Sequence, residues 1–518
     1  LYDFEIFKFN ENLSPGEEVK FTFEMENKPN TILTSNSPVR TNGTFINNQI
    51  FPSFGYDENR EIQNNKTREK YGLEPKERMN SPYDSTALGN TYISSDADWI
   101  DFETTVSTSK DQIAIAPGYL QKEWMEGDRK YFHYKMDKKI LNFYAFNSAE
   151  YEVYEDRWKD VNIQVFYHKP HDYNIERMVN ATKKSLAYYS ENFSPYQFKQ
   201  LRILEFPVTS GSFAQSFANT VPYSEAIGFI AKVDDEDNES VDYPFSVTAH
   251  EVAHQWWAHQ VIGANVRGAT LLSESMSEYS SLKVLEREYG AEQMRVFLKD
   301  ALDKYLRGRR FEIQKELPLM YNENQQYIHY NKGSLVLYAM SDYLGEKKMN
   351  NILKTYVDQV AFQEPPYTTS VEFVNLLKSQ TPDSLQYLIK DMFETITLYD
   401  NHALEVTYKA LENGQYEVNF EVNVQKYRSS EKGEKEFSDA EGEGLVLETD
   451  NENLESLPLK DYIEVGVFGE SEESIEGIKK QNVLYLKKHL VSEIDNEFTI
   501  VVDELPSEVG IDPYNKLI

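Results

Sequence analysis

His250-Glu251-Val252-Ala253-His254, followed by Gln255-Trp256-Trp257, is the stretch on which the reading of this chain turns. Val247, Ala249, Val252, Ala253 and Trp256 give a mostly apolar surface, and no Gly or Pro falls within residues 246–260, which predicts a helix there. On a helix, residues four apart share a face, so His250 and His254 can point at one metal ion. Glu251 sits beside them, placed to take a proton from water activated at that metal. Catalytic zinc takes three protein ligands and keeps a fourth position open, so a third ligand must come from elsewhere. The next helical stretch, residues 272–289, offers Glu274 near its start and Glu278 one turn later. His259 is a further candidate, but five residues after His254 it points away from the paired face. Spacing alone leaves Glu274 and Glu278 both open.

Outward from the motif, composition narrows the classes. At 518 residues the chain is too long for one ordinary core and suggests about three domains. Apolar residues make up 40% and aromatics 14%, enough for a large core, and the 36 Tyr and 29 Phe favour a β-rich or mixed class. A formal net charge of −33 argues against a nucleic-acid partner, whose phosphates it repels, and fits cationic ligands such as peptide amines. There is no cysteine, so disulfides and thiolate metal sites are excluded and a metal must use His and carboxylate. No apolar run is long enough to cross a membrane, there is no secretory signal, and the chain opens Leu1-Tyr2-Asp3; it reads as a piece of a longer polypeptide.

Taken in order, residues 1–170 predict a β-rich domain. Phe4, Ile6, Phe7 and Phe9, then Val19, Phe21, Phe23 and Met25, nearly alternate, and residues 99–106, 112–116, 140–144 and 161–167 add further strands. The polar stretch 53–92 reads as an excursion or flap. Residues 171–400 predict a catalytic domain: a helix over 175–192, strands over 201–207 and 226–233 with a loop at 211–219 between them, then helices from the motif to residue 393. Residues 401–518 predict a β-sandwich, with Asn413-Gly414 as a hairpin turn between residues 404–408 and 416–424 and a mobile acidic loop at 429–444.

The motif with its flanking Gln255-Trp256-Trp257, and Leu272-Ser273-Glu274-Ser275-Met276-Ser277-Glu278-Tyr279 after it, resembles the zinc aminopeptidases typified by aminopeptidase N and leukotriene hydrolase. The resemblance implies a thermolysin-like α/β catalytic domain, one Zn²⁺ per chain and Glu274 as third ligand. The connection from His254 to Glu274 is one residue longer than usual in that family, and Ser273 and Ser275 replace its Asn and Gly. Tyr330-Asn331-Lys332-Gly333 is similar to the family's Y-x-K-G segment, implying that Tyr330 donates a hydrogen bond to the reaction's oxyanion. The family's G-x-M-E-N strand has no match; aligning residues 213–229 on Gly228-Phe229 places Glu225 at the position that holds a substrate's α-amine.

Residues 254–280 also resemble the peptidase portion of bacterial membrane proteins in which an ABC-transporter permease is fused to an aminopeptidase-like ectodomain. This implies an extracytoplasmic domain tethered to membrane spans. The resulting expectation is an α+β multidomain zinc metallopeptidase, an aminopeptidase acting on peptides with a free N-terminal amine. His250, His254 and Glu274 bind metal, Glu251 and Tyr330 are catalytic, and Glu225 binds substrate. The rivals are an endopeptidase and a peptide-binding accessory ectodomain of a transporter.

Overall fold

A mixed four-stranded sheet carries the region around the motif. Three neighbouring strands, Val161–Tyr167, Gln200–Phe206 and Thr220–Ser224, run parallel, and Glu152–Trp158 joins the first of them antiparallel. Gln200–Phe206 is buried along almost its whole length, as a central parallel strand must be. The structure, a computed structural model, describes residues 5–27, 38–235, 241–438, 445–447, 457–473 and 479–518. Strands 152–158 and 161–167, on the N-terminal side of the expected boundary at residue 170, are therefore part of the catalytic sheet.

Helix Ile175–Asn192 crosses between the first two parallel strands and buries Met178, Ala181, Leu186 and Tyr189. The motif helix, Tyr243–Ala253, follows. Asp242 caps it by accepting from the Phe245 N–H at 3.0 Å, and Pro244 occupies the first turn, where a missing N–H is harmless. The Asp242 carboxylate is itself held by Arg177 and by the Tyr289 hydroxyl. The helix ends earlier than residue 260, the expected limit. Beyond Ala253 the winding loosens, and His259 and Val261 bond back five residues to the carbonyls of His254 and Trp256. The looser turns let Trp256 and Trp257 both enter the core, fully buried, with their indole N–H groups on the Ser194 carbonyl and the Ser280 hydroxyl. Each such burial stabilises by roughly 1.5–3 kcal/mol.

Packed on the motif helix is a second one, a π-helical turn Leu271–Ser275 running into α-helix Met276–Tyr289. Helices Met294–Arg310, Gly333–Leu344, Glu346–Val360 and Ser370–Gln380 complete the helical layer. After residue 396 the described residues form two larger antiparallel sheets and a two-stranded one, Glu472–Glu473 with Lys479–Lys480. Tyr416–Ser429 pairs along one edge with Thr397–Ala410 and along the other with Asp495–Val502 and Lys435–Ser438; Asp461–Gly469 lies between Val483–Val491 and Pro506–Ile511. Val418, Phe420, Val422 and Val424 from the first sheet and Ile463, Val465 and Val467 from the second belong to the same buried cluster as the catalytic helices. The protein is thus a mixed α+β multidomain chain, with N-terminal β sheets, a helical catalytic region and C-terminal β sheets.

Four expectations change. Residues 5–27 form no strand; Ile6, Phe7, Phe9, Val19, Phe21, Phe23 and Met25 are exposed, and alternation without a partner strand makes no ladder. Phe4 lies outside the described residues. The second catalytic strand is residues 220–224, while 225–230 are turns that bury Phe229. Residues 80–92 are a strap, not a flap: Asn80 pairs with Val266, Thr91 with Ala264, and the Tyr92 N–H donates to the Gly263 carbonyl. Of the acidic segment, Lys435–Ser438 is a strand and residues 439–444 lie outside the described residues.

If the cap holds the motif helix, Asp242→Ala lowers stability by about 1–2 kcal/mol, read as a lower thermal midpoint, and Asp242→Asn recovers most of it. An Asn variant as unstable as the Ala variant would assign the effect to the Arg177 ion pair instead.

Candidate active site

Three side chains converge at the packed face of the motif helix. The Nε2 atoms of His250 and His254 lie 2.9 Å apart, and Glu274 Oε2 lies 3.4 Å from the first and 3.3 Å from the second. Donor atoms bound at about 2.0–2.2 Å around a tetrahedral zinc stand roughly 3.3 Å from one another. The cluster therefore has the dimensions of a zinc ligand set. Glu274 Oε2 has no hydrogen-bond partner although it is buried, which fits a carboxylate oxygen reserved for a cation.

The imidazoles are oriented from behind. His254 Nδ1 lies 3.0 Å from the Trp257 carbonyl and 3.0 Å from the Ser277 hydroxyl. A proton on Nδ1 satisfies the carbonyl and leaves the Nε2 lone pair facing the cluster. Glu278 Oε2 stands 3.6 Å from His250 Nδ1, on the side of the ring away from Glu274. The choice left open by spacing is resolved by packing: Glu274 reaches the Nε2 side and Glu278 the Nδ1 side. His259 points elsewhere, its Nε2 donating to the Ser216 carbonyl at 3.1 Å, and burial pushes it down to about 4.

The pocket's field favours positive charge. Burial alone would lower His250 and His254, yet the carboxylates of Glu278, Glu274 and Glu251 outweigh it and raise both. Burial would raise Glu274, and the two imidazoles overcome it and hold the carboxyl well below its usual range. Glu251 is buried, and desolvation raises it despite the neighbouring imidazoles. Tyr330 packs with its ring centroid 5.8 Å from that of His250. Burial, then the charges of Glu274 and Glu251, hold its phenol far above the ordinary value, so it stays protonated and able to donate.

Glu274 and Tyr330 both sit in π-helical turns, Leu271–Ser275 and Tyr327–Lys332. Such turns re-aim side chains within a helix and recur at functional sites. The two turns touch. The Ser275 hydroxyl donates to the His329 carbonyl at 2.6 Å, and a Cβ on Gly333 would fall within the Ser275 side chain. Gly333 thus lets the Tyr330 segment approach the Glu274 segment. Behind it Lys332 is buried, 3.2 Å from Glu316, which also pairs with Arg309 at 2.7 Å.

Glu225 is placed apart from this cluster. Its Oε1 accepts from the Val208 N–H at 2.8 Å and its Oε2 lies 3.9 Å from His171. The segment beside the motif helix is instead 214–219. The Ser216 hydroxyl donates to the Glu251 carbonyl at 2.9 Å, and Gln255 bonds Ser216, Phe217 and Asn219. Sequence reading missed Ser216, Ser277 and also Tyr92, a strap residue whose phenol is raised by burial, then by the Glu274 charge. None of the three carries a local pattern, and only the long-range pairing of the strap with residues 263–267 brings Tyr92 in.

Two imidazoles from one helix and a carboxylate from the next form a group that could hold a metal ion, with a buried glutamate beside the first His. Residues 177–395, which contain the whole cluster, match the model of the peptidase family M1 domain. No curated protein matches the chain. Among solved structures, it is similar to Legionella pneumophila aminopeptidase A in complex with aspartic acid, at 12% identity over 80% of this chain and 44% of that one, with a TM-score of 0.51, a likeness of fold. It is also similar to an M1 zinc metallopeptidase from Deinococcus radiodurans, at 17% identity over 57% of this chain and 63% of that one, with a TM-score of 0.44. A mutant of that Deinococcus enzyme is matched over 65% of its length.

Glu274→Gln is expected to abolish zinc retention on dialysis, whereas Glu278→Gln weakens it by about 10–100-fold, the scale of outer-shell losses. Gly333→Ala should lower both hydrolysis and thermal midpoint, and adding Ser275→Gly should restore part of each by making room for the new methyl. Failure of that rescue would mean that the two turns do not depend on this contact.

Proposed function

We propose that the chain is a zinc-dependent aminopeptidase that releases N-terminal residues from peptides. The observation that carries this reading is the convergence of His250, His254 and Glu274 at zinc-ligand separations, with Glu251 beside them, within the residues that match the M1 family model. Zinc held there would polarise the scissile carbonyl and acidify a water.

The remaining work falls to the chain's own groups. Glu251 takes the proton from the attacking water and returns it to the leaving amine; its raised affinity for a proton, caused by burial, suits both halves of that transfer. Tyr330, protonated and facing Glu274 and Glu251, donates to the oxyanion as the carbonyl becomes tetrahedral. Ser277 and the Trp257 carbonyl keep His254 in one tautomer throughout. The net charge of −33 gives a long-range attraction for a peptide's ammonium group.

We also read the domain as extracytoplasmic and tethered to membrane spans outside residues 1–518; its support is the resemblance of residues 254–280 to permease-fused peptidases. No described helix is long and apolar enough to cross a membrane. Cell fractionation of the native protein tests this, and recovery in the soluble cytoplasm would refute it.

Glu251→Gln should keep its zinc and lose hydrolysis, and full activity in that variant would sink the mechanism. Tyr330→Phe should lower kcat by about 10²–10³, the usual effect of removing one oxyanion donor. With zinc present, the wild-type protein should cleave free peptides and spare N-acetylated ones. Cleavage of both marks an endopeptidase, and binding without cleavage marks an accessory domain.

A further inference from the structure

A second group of donors lies at one edge of the catalytic sheet. Strands Val161–Tyr167, Gln200–Phe206 and Thr220–Ser224 are parallel neighbours, so their carboxyl ends emerge side by side. His168 directly follows the first, Glu205 is the penultimate residue of the second and Glu225 directly follows the third. In open α/β sheets, ligands bind outside the carboxyl ends of the strands. His171 joins them through a tight turn, its N–H donating to the His168 carbonyl at 2.8 Å.

The atoms are presorted. Glu205 is fully buried, and its Oε2 accepts from the His168 main-chain N–H at 2.6 Å, which turns Oε1 toward both imidazoles. His168 Nδ1 is 3.2 Å from Oε1, and His171 Nδ1 contacts the same oxygen. Glu225 repeats the arrangement: one oxygen is pinned by the Val208 N–H, and the other faces His171 Nδ1 at 3.9 Å. His168 Nε2 lies 3.4 Å from Asn42 Oδ1, an acceptor for its proton that leaves Nδ1 as the free donor. One donor atom from each of His168, His171 and Glu205 lies within 4.8 Å of the other two; among the described residues only the His250 cluster also meets that condition. The side chains of His168 and His171 are 16% and 25% exposed, so an ion can enter from solvent.

We propose that His168, His171, Glu205 and Glu225 form a second divalent-cation site, of the borderline-soft class represented by Zn²⁺. Two imidazoles and two carboxylates without thiolate are the ligand chemistry that such ions accept, and the 3.2 Å between His168 Nδ1 and Glu205 Oε1 matches the spacing of donors in a tetrahedral ligand set. The ion compensates two carboxylates brought together, one of them wholly buried, and ties three strand ends and the turn at residues 168–171 into one unit.

The test counts metal on the full chain. Zinc-loaded protein, dialysed into metal-free buffer, is expected to hold two Zn²⁺ per chain. The His250→Ala/His254→Ala variant and the His171→Gln variant should each hold one, and their combination none. In the His250→Ala/His254→Ala background, added Zn²⁺ should raise the thermal midpoint, and His171→Gln should remove that rise while the far-ultraviolet dichroism stays unchanged. One zinc in wild type together with none in the His250→Ala/His254→Ala variant would overturn the proposal and leave the cluster as a set of His–carboxylate ion pairs.

Discussion

Two imidazole nitrogens 2.9 Å apart cannot both direct a proton at each other, and a buried carboxylate oxygen 3.3–3.4 Å from both needs a positive partner. Uncompensated charge in such surroundings costs several kcal/mol. A divalent cation at their common centre removes the conflict for all three. Much of the catalytic region serves to bring these atoms together without that ion's help. Asp242 starts the motif helix, Ser277 and the Trp257 carbonyl turn His254, and two buried tryptophans fix the far end of the motif.

That constraint explains why the surrounding packing tolerates awkward backbone. A regular α-helix through residues 271–289 would put Glu274 and Glu278 on one face, one turn apart. Here both reach the same imidazole, one carboxylate near Nε2 and the other near Nδ1, with Glu274 inside the π turn Leu271–Ser275. The turn carrying Tyr330 is held in the same way, by the Ser275–His329 bond in front and by the Lys332–Glu316–Arg309 ion pairs behind. A buried ion network adds little net stability over apolar packing, but losing one member strands the others. Its value here is in fixing the segment that bears the tyrosine.

The sequence carried the motif itself, because H-E-x-x-H needs only local helical geometry. It also carried the long amphipathic helices and the alternating 416–424 part of the strand Tyr416–Ser429. Glu274 was separable from Glu278 only by resemblance, since both fit the spacing and the π turn has no compositional signature. Residues 5–27 alternate as a strand should and yet pair with nothing among the described residues, because periodicity reports which face could be buried and not whether a partner exists. Tyr92 was illegible for the opposite reason. Its stretch is polar and aperiodic, and only main-chain bonds to residues 263–267 give it a place beside Glu274.

Glu225 shows how a one-dimensional alignment goes astray at a reversal. Residues 213–224 fold back at Asn219, which takes a positive φ of 51°, with Ala214 bridged to Tyr223 and the Ser224 N–H on the Phe213 carbonyl. The closed end of this hairpin carries Ser216, Phe217 and Asn219 against Gln255, and Ser216 against the Glu251 carbonyl. Glu225 follows the open end, nine residues beyond Ser216, where the strand-end histidines stand. An alignment anchored on Gly228-Phe229 counts along the second arm of the hairpin, whereas contact with the motif helix is made near the bend. Beside Glu251, then, the hairpin offers a hydroxyl rather than a carboxylate.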